Sequence, residues 1–282
     1  MYRAQSAGRL VALKLALALL LAVATLLVAM SFSQTEMLFP THAVPGAGPL
    51  PANAEKVEVE AAGGERLRGV HILPSRDVEG PRTLIIGFGG NAWNGQDVAT
   101  YLHQVFPEAH VVAFHYRGYA PSTGSPSAQA LMGDAPRVYD LAVDRIRPDR
   151  VVAAGFSIGS GVAASLARHR AVDGLILVTP FDSLKLVAGD LFPWLPVGPF
   201  FQHEMAAADE LDGSETPVAI LAAERDEIVR PARTAALRKR VPNLAFDRTF
   251  AGAGHNDIYQ RSDFEAGLRE ALETLVAGKK RA

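Results

Sequence analysis

Five short apolar runs, each nearly free of polar residues, alternate along the chain with longer stretches that carry apolar residues at helical spacing. Strands that are apolar on both faces are typical of a parallel sheet covered by helices on both sides. The alternation therefore predicts an α/β fold with a doubly wound, mostly parallel sheet. The predicted strands are 83–88, 111–114, 151–156, 175–178 and 218–222, and the predicted helices are 96–106, 128–146, 160–170, 232–240 and 264–277.

The composition fits one such domain and excludes several classes of function. Of the 282 residues, 49% are apolar and 21% are charged, which supplies enough apolar material for a large core. The net charge of −2 leaves no basic surface for a nucleic-acid partner. The chain has no cysteine, which excludes disulfides, a cysteine nucleophile and cysteine-ligated metals.

The residues ahead of the central strands divide into three parts. Residues 57–60 and 67–73 flank a Gly63-Gly64 turn, a pattern typical of a β-hairpin. Residues 43–54 are rich in proline, glycine and alanine and show no periodicity, as expected of a linker. We therefore predict a membrane or signal segment at 1–33, a linker at 34–56 and a folded domain at 57–282.

The apolar run 15–30 follows Arg3, Arg9 and Lys14, and no charge appears after it until Glu36. Basic residues ahead of such a run hold that end in the cytoplasm. We therefore expect a membrane anchor, with the folded domain on the extracytoplasmic (periplasmic-type) side. Two alternatives stay open: a cleaved signal would leave an exported soluble protein, and a buried core helix would involve no membrane.

A G-x-S-x-G motif lies where the predicted strand 151–156 meets the next helix, with Gly155 and Gly159 two residues either side of Ser157. At a sharp strand-to-helix corner, glycines let the two elements approach and the corner lifts the serine hydroxyl out of the sheet. The motif predicts Ser157 as a nucleophile. The alternative is a tight turn in which Ser157 only caps the helix.

A serine nucleophile needs a base, and enzymes with this motif place serine, acid and histidine in that chain order. After Ser157, His169 lies at a predicted helix end and His203 in an irregular region. His255, in contrast, follows a strand-like segment in a glycine-rich loop, where core packing gives no reason for a histidine. We predict His255 as the base.

The acid is expected after the strand that precedes the histidine strand. Asp226 stands there, and its short carboxylate suits the task of fixing the histidine tautomer. Glu224, Glu227 and Asp257 are rivals for this role, and a solvated cluster of charges is the alternative for the segment.

Two backbone amides are expected to form an oxyanion hole, which binds the negative oxygen of the tetrahedral intermediate. One belongs to Ile158, directly after the nucleophile, and the other to the loop 87–94. In that loop paired glycines precede Asn91, which we predict as the second donor, and an unrelated tight turn is the alternative. These motifs require no cofactor and no metal.

Residues 183–209 are predicted to form a short cap over the site. Their aromatic residues are interleaved with prolines, unlike the rest of the chain. Such side chains suit an acyl chain or a membrane surface, and packing of the cap onto the body is an equal alternative. The candidate substrate-binding residues are Phe192, Trp194, Phe200 and Phe201.

Taken together, these motifs resemble the membrane-anchored α/β-hydrolases, serine hydrolases whose eukaryotic relatives include protein depalmitoylases. The resemblance implies an α/β-hydrolase fold and the roles given above to Ser157, Asp226 and His255. The motifs that carry it stand in the family's order at 34–40, 88–94, 116–119, 124–127, 155–159, 179–184, 226–229 and 254–257.

The chain departs from the family pattern at three places. Gly89 replaces a histidine that supports the oxyanion loop, and Ala120 replaces a glycine. His203-Glu204-Met205 stands where the family carries an Arg-Phe-Asp-like run, which implies a change in what the cap region recognises.

The expected function is hydrolysis of a carboxylic ester or thioester through an acyl-enzyme intermediate, on a small-molecule or lipid-like acyl substrate. A serine peptidase or amidase with the same triad is one alternative. A non-catalytic membrane-bound scaffold is another, although the intact serine, acid and histidine set argues against it. The sequence leaves the acyl group, the leaving group and the oligomeric state open.

Overall fold

A computed structural model describes residues 2–76, 79–193, 198 and 201–277. Its centre is one eight-stranded sheet in the order β1-β2-β4-β3-β5-β6-β7-β8. The strand β2 pairs antiparallel with both β1 and β4, and the other neighbours are parallel. The predicted fold class is confirmed. The strands are β1 Ala54–Glu60, β2 Arg66–Ile72, β3 Thr83–Phe88, β4 His110–Phe114, β5 Arg150–Phe156, β6 Gly174–Val178, β7 Val218–Ala223 and β8 Leu244–Phe250.

Helices lie on both faces of the sheet. Three of them begin directly after a residue whose side chain caps the first turn. Asn94, Ser127 and Ser183 each accept a hydrogen bond from a first-turn amide, as N-cap residues do. The described helices are α1 Tyr2–Leu38, α2 Gly95–Val105, α3 Ala128–Ile146, α4 Ile158–His169, α5 Leu184–Leu191, α6 Ala207–Glu210, α7 Pro231–Arg238 and α8 Ser262–Ala277.

The sheet separates two apolar layers, and the strand β3 shows how. Leu84 and Ile86 face a layer built with α3 and α4, whereas Ile85 between them faces a layer built with α2 and α8. All three side chains are fully buried. Each contributes about 1.5–3 kcal/mol by leaving water, so the near-continuous apolar runs of the sequence are explained by burial on both faces.

The N-terminal helix α1 is continuous through the apolar run and ends at Leu38. Its stretch Val11–Ala29 is long and apolar enough to cross a bilayer, and none of it is buried in the protein. The residues that follow pack on the domain: Phe39 is fully buried. Further along, the Gly48 amide donates to Asp97 at 2.9 Å. The predicted linker 34–56 thus contains the end of α1 and the start of β1, and it is held against the sheet domain between them.

Candidate active site

The corner between β5 and α4 is shaped by close backbone contacts. Ser157 has φ 51° and ψ −117°, a conformation that non-glycine residues rarely adopt. A Cβ at Gly155 would lie 2.4 Å from the Gly159 carbonyl oxygen, and one at Gly159 would lie 2.2 Å from that of Phe88. Only glycine fits at both positions, so the strand, the helix and the end of β3 converge beside the serine.

The structure brings Ser157, His255 and Asp226 together from the ends of three strands. The Ser157 Oγ lies 2.9 Å from His255 Nε2. The Nδ1 of His255 lies 2.9 and 2.8 Å from the two Asp226 carboxylate oxygens. Because a carboxylate only accepts hydrogen bonds, Nδ1 carries the proton and Nε2 is free to accept one from the serine hydroxyl.

The Asp226 carboxylate is held in place by its own turn. Its Oδ1 accepts hydrogen bonds from the amides of Ile228 at 3.0 Å and Val229 at 2.7 Å. Both Asp226 and His255 are buried, with 6% and 5% of their surfaces exposed. Amide donors and burial on all sides fix the orientation of the acid relative to the imidazole ring.

The three rival carboxylates accept hydrogen bonds from backbone amides and not from the imidazole ring. Glu224 accepts from the Gly252 amide at 2.7 Å, and Asp257 from the Gly254 amide at 2.7 Å. Glu227 accepts from the backbone amide of His255 at 3.2 Å. Within this acidic cluster, Asp226 alone is hydrogen-bonded to the imidazole ring among the described residues, and the sequence did not indicate the backbone contacts of the other three carboxylates.

The predicted oxyanion loop lies against the nucleophile. A Cβ at Gly90 would be 3.8 Å from the Ser157 Cβ, which places this part of the loop beside the serine. Ile158 is the first residue of α4, and amides of a helix's first turn have no acceptor within the helix. Both predicted donors, Asn91 and Ile158, thus border the corner, on the loop and on the helix respectively.

Two tyrosines hold the oxyanion loop, which the sequence reasoning missed. The hydroxyl of Tyr119 donates to the Asn91 carbonyl at 2.6 Å, and that of Tyr116 donates to the Gly89 carbonyl at 2.8 Å. Burial raises the pKa of both hydroxyls, so they stay protonated and keep donating. These bonds support the loop at the position where the family's histidine is replaced by Gly89.

An aromatic cluster joins the oxyanion loop to the histidine loop. Trp93 lies on the first loop, and its ring centroid is 5.2 Å from that of Phe156 and 5.5 Å from that of Tyr259. Tyr259 follows His255 by four residues, and burial raises its pKa to about 12. The edge-to-face contacts are worth about 0.5–1.5 kcal/mol each beyond area burial, and they tie the two sides of the site together.

The described part of the cap comprises residues 183–193, 198 and 201–209, and it contains the helix α5. Phe192 follows the last residue of α5 and is half-buried. Phe201 is half-buried and packs against the core on the α3 and α4 side of the sheet, which matches the packing alternative. The other two predicted aromatic residues, Trp194 and Phe200, lie outside the described residues.

Solved structures with the same fold include hydrolases. The Pyrococcus furiosus esterase Pf2001 superimposes with a TM-score of 0.64 at 19% identity, over 83% of this chain and 98% of the esterase. An alpha-beta hydrolase from Vibrio vulnificus gives a TM-score of 0.62 at 20% identity, over 89% and 92% of the two chains. No family model matches the sequence.

Sequence relatives define the family. Uncharacterized protein Rv2307c of Mycobacterium tuberculosis is 30% identical over 251 residues, which cover 83% of this chain and 87% of that protein. Lysophosphatidylserine lipase ABHD12 is 32% identical in Danio rerio and 30% in Mus musculus, over 52% and 67% of this chain. The matches span 44% and 55% of those lipases. The chain belongs to the α/β-hydrolase superfamily, and the lipases among its relatives support hydrolase activity. The predicted kinship with depalmitoylases stays a prediction.

Proposed function

We propose that the protein is a membrane-anchored serine hydrolase that cleaves a carboxylic ester or thioester of a lipid-like acyl substrate. The observation that carries the proposal is the unbroken chain of hydrogen bonds from Ser157 Oγ through His255 to Asp226. Position adds support, because the three side chains sit at the carboxyl ends of strands, where open α/β sheets bind ligands.

In the first half of the reaction, Ser157 Oγ attacks the carbonyl carbon of the substrate while its proton passes to His255 Nε2. Asp226 stabilises the imidazolium that forms. The electron pair of the carbonyl moves to oxygen, and the amides of Ile158 and Asn91 donate to that oxyanion. Loss of one such donor typically costs about 10²–10³ in rate.

The tetrahedral intermediate then collapses. Its carbon–oxygen or carbon–sulfur bond breaks, and the leaving alcohol or thiol takes the proton from His255. The acyl group stays on Ser157 as an ester. In the second half, water gives a proton to His255 and attacks that ester, and the proton returns to Ser157 as the free acid leaves. Apart from the substrate and this water molecule, every step uses groups of the chain itself.

The substrate class follows from the relatives and the anchor. The named relatives include lysophosphatidylserine lipases, and a chain held at a membrane meets amphiphilic esters there. A serine peptidase or amidase of the same fold is the second enzyme candidate, because the same triad cleaves amides. A scaffold without catalysis is the third candidate, and the aligned triad geometry disfavours it.

We propose further that α1 stays in the membrane, that the domain 57–282 with its cap at 183–209 lies on the extracytoplasmic side, and that 34–56 connects them. An anchored chain stays in the pellet after alkaline carbonate extraction, and protease added to the outer side digests its domain. Release into the soluble fraction would favour the cleaved-signal alternative. A domain that resists protease in sealed right-side-out membranes would contradict the topology.

Labelling with a fluorophosphonate tests the nucleophile. Wild-type protein should be labelled and Ser157→Ala should not, while both give the same circular dichroism spectrum. Ser214→Ala is the matched control, because this serine only accepts a local bond from the Thr216 amide at 3.3 Å. Labelling of Ser157→Ala at the full rate would refute the assignment.

Hydrolysis of p-nitrophenyl esters of increasing chain length tests the substrate class. We expect kcat/KM to rise with acyl length, and a thioester series to follow the same order. Faster cleavage of matched anilides or peptides would favour the amidase alternative.

A further inference from the structure

A four-residue strip, Gln202–Met205, connects the anchor helix to the cap helix. Its first half binds α1: the Gln202 amide donates to the Gln34 side chain at 3.0 Å, and His203 Nε2 lies 2.8 Å from Thr35 Oγ. The His203 ring also meets the Phe39 ring edge-on, with centroids 5.3 Å apart. The strip is thus bonded to the end of α1 through side chains that are 168 residues away in sequence.

The second half of the strip binds α5. The Glu204 carboxylate accepts from Ser183 Oγ at 3.1 Å and from the Lys185 amide at 3.4 Å. The Met205 carbonyl accepts from the Leu184 amide at 3.1 Å. The first turn of the cap helix is therefore tied to the same strip that grips the anchor helix.

The strip also reaches the helix that carries the nucleophile at its start. Met205 is 1% exposed, and a Cβ at Gly161 of α4 would lie 3.0 Å from its Cβ. Anchor, cap and nucleophile helix are consequently connected by direct contacts, and their relative positions are fixed.

Helix geometry gives the height of this joint above the membrane core. Gln34 is five residues beyond Ala29, the last residue of the candidate span. At 1.5 Å per residue, it lies about 7.5 Å beyond the end of the span. The headgroup region adds about 5–7 Å to each side of the hydrocarbon core. The joint therefore lies at the outer boundary of the lipid headgroups.

Few large apolar side chains are exposed outside the candidate span. Outside Val11–Ala29, the large apolar side chains that are exposed among the described residues are only four. Two stand on the cap helix, one at the end of α1 and one on the turn that holds Asp226. They are Leu186, Leu191, Met37 and Ile228, with 46%, 37%, 53% and 38% of their surfaces exposed.

An ion pair joins the last turn of the cap helix to the helix that follows the Asp226 turn. Arg233 of α7 lies 3.1 Å from Asp190 of α5, so the segment bearing Ile228 is held close to the end of the cap.

We propose that Met37, Leu186, Leu191 and Ile228 form an apolar face that rests in the headgroup layer, held there by the Gln202–Met205 strip, and that the Ser157 site takes its substrate from this lipid surface. The partner is the bilayer itself. Apolar side chains at this depth stabilise contact with a membrane without spanning it. The inference rests on the proposed function for the identity of the site and for the anchoring of α1, and it adds the orientation of that site.

The absence of cysteine makes a direct test practicable. The full-length variants Leu186→Cys, Leu191→Cys and Ile228→Cys are each labelled with a nitroxide and reconstituted in vesicles of phosphatidylcholine and phosphatidylglycerol. Collision rates with oxygen, which concentrates in lipid, are compared with those of a water-soluble nickel chelate. Leu20, inside the span, and Glu273, exposed on α8, are the matched controls.

We expect oxygen-to-nickel ratios at the three test positions to fall between those of Leu20 and Glu273. If the oxygen-to-nickel ratios at the three test positions equal that of Glu273, the proposal is overturned. A ratio typical of water at Leu20 would also overturn it, because the helix α1 would then not be in the bilayer. A Gln34→Ala and Thr35→Ala double variant should move the Leu186 reading toward that of Glu273, and an unchanged reading would overturn the role of the strip.

Hydrolysis of a soluble short-chain ester in the same vesicles keeps the two proposals separate. If the ester is cleaved while the labels read as aqueous, the hydrolase assignment stands and the membrane face is wrong. If the labels lie at headgroup depth but no ester is cleaved and no fluorophosphonate binds, the face stands and the hydrolase assignment fails.

Discussion

The nucleophile corner and the cap are held by different kinds of interaction. At the corner, backbone atoms approach so closely that Gly155 and Gly159 leave no room for a Cβ. The cap helix α5, in contrast, is tied down by side-chain bonds from Glu204 and Arg233, and its Gly189 has open space where a Cβ would stand. Main-chain packing fixes the position of Ser157, whereas side-chain bonds contribute much of what holds the cap helix.

The largest effect should come from the acid that orients the imidazole. Asp226→Asn should lower kcat for ester hydrolysis by about 10³–10⁴, because the amide favours the wrong histidine tautomer. Glu224→Gln and Asp257→Asn keep an oxygen for the amides of Gly252 and Gly254, so they should cost far less. If Asp257→Asn proves the most damaging, the acid has been misassigned.

A pair of glycine substitutions tests the comparison directly. Gly159→Ala should destabilise the fold or displace the oxyanion loop, since its Cβ would overlap the Phe88 carbonyl. Gly189→Ala should be neutral or stabilising by about 0.5–1 kcal/mol, because alanine suits a helix interior better than glycine. Thermal unfolding in detergent measures both. Equal losses at the two positions would show that the corner and the cap are constrained alike.

A smaller effect is expected at Tyr119, whose side chain supports the oxyanion loop. Tyr119→Phe removes the hydroxyl that donates to the Asn91 carbonyl. A net loss of about 1 kcal/mol for one hydrogen bond corresponds to roughly fivefold, which we expect in kcat with little change in KM. Tyr139→Phe, whose hydroxyl bonds to Ala171 O away from the site, is the control. A change confined to KM would contradict support of the oxyanion loop.

A further effect should appear only at acidic pH. Burial lowers the pKa of His203 at the cap joint. In the sheet, burial and, to a smaller extent, the neighbouring His110 lower the pKa of His71 from 6.5 to about 4. Because the unfolded chain binds these protons first, the unfolding free energy should fall as pH drops below 6.5. His203→Gln and His71→Gln should each flatten this dependence in urea titrations. If His203→Gln leaves the pH dependence of the unfolding free energy unchanged, His203 does not contribute to it.

The sequence predicted the central sheet closely because burial on both faces leaves a local signal. The five predicted strands lie within one residue of β3 to β7. Ser157 and His255 were also identifiable, since glycines mark both of their turns. Asp226 was predicted among four nearby carboxylates from chain order, and only the geometry shows that this carboxylate is the one bonded to the His255 ring.

Features made by distant segments left no local pattern. The tyrosine support of the oxyanion loop joins Tyr119 to Asn91 across 28 residues. The joint between Thr35 and His203 spans 168 residues. The sequence placed His203 in an irregular region and in a departure from the family pattern, and neither feature indicated its partner. For Phe201 the two alternatives could not be separated from the sequence, because a half-buried core contact and a ligand contact look alike there, and the structure shows the core contact.

The burial of Phe39 decides how the enzyme is best prepared in soluble form. This side chain belongs to the core although it comes directly after the last residue of α1. A truncated chain that starts at Gln34 keeps it, along with the partners of Gln202 and His203. One that starts at Val57 lacks it and exposes the cavity that it fills. Loss of a buried phenylalanine costs about 3–5 kcal/mol, so the shorter protein should aggregate on expression while the longer one folds.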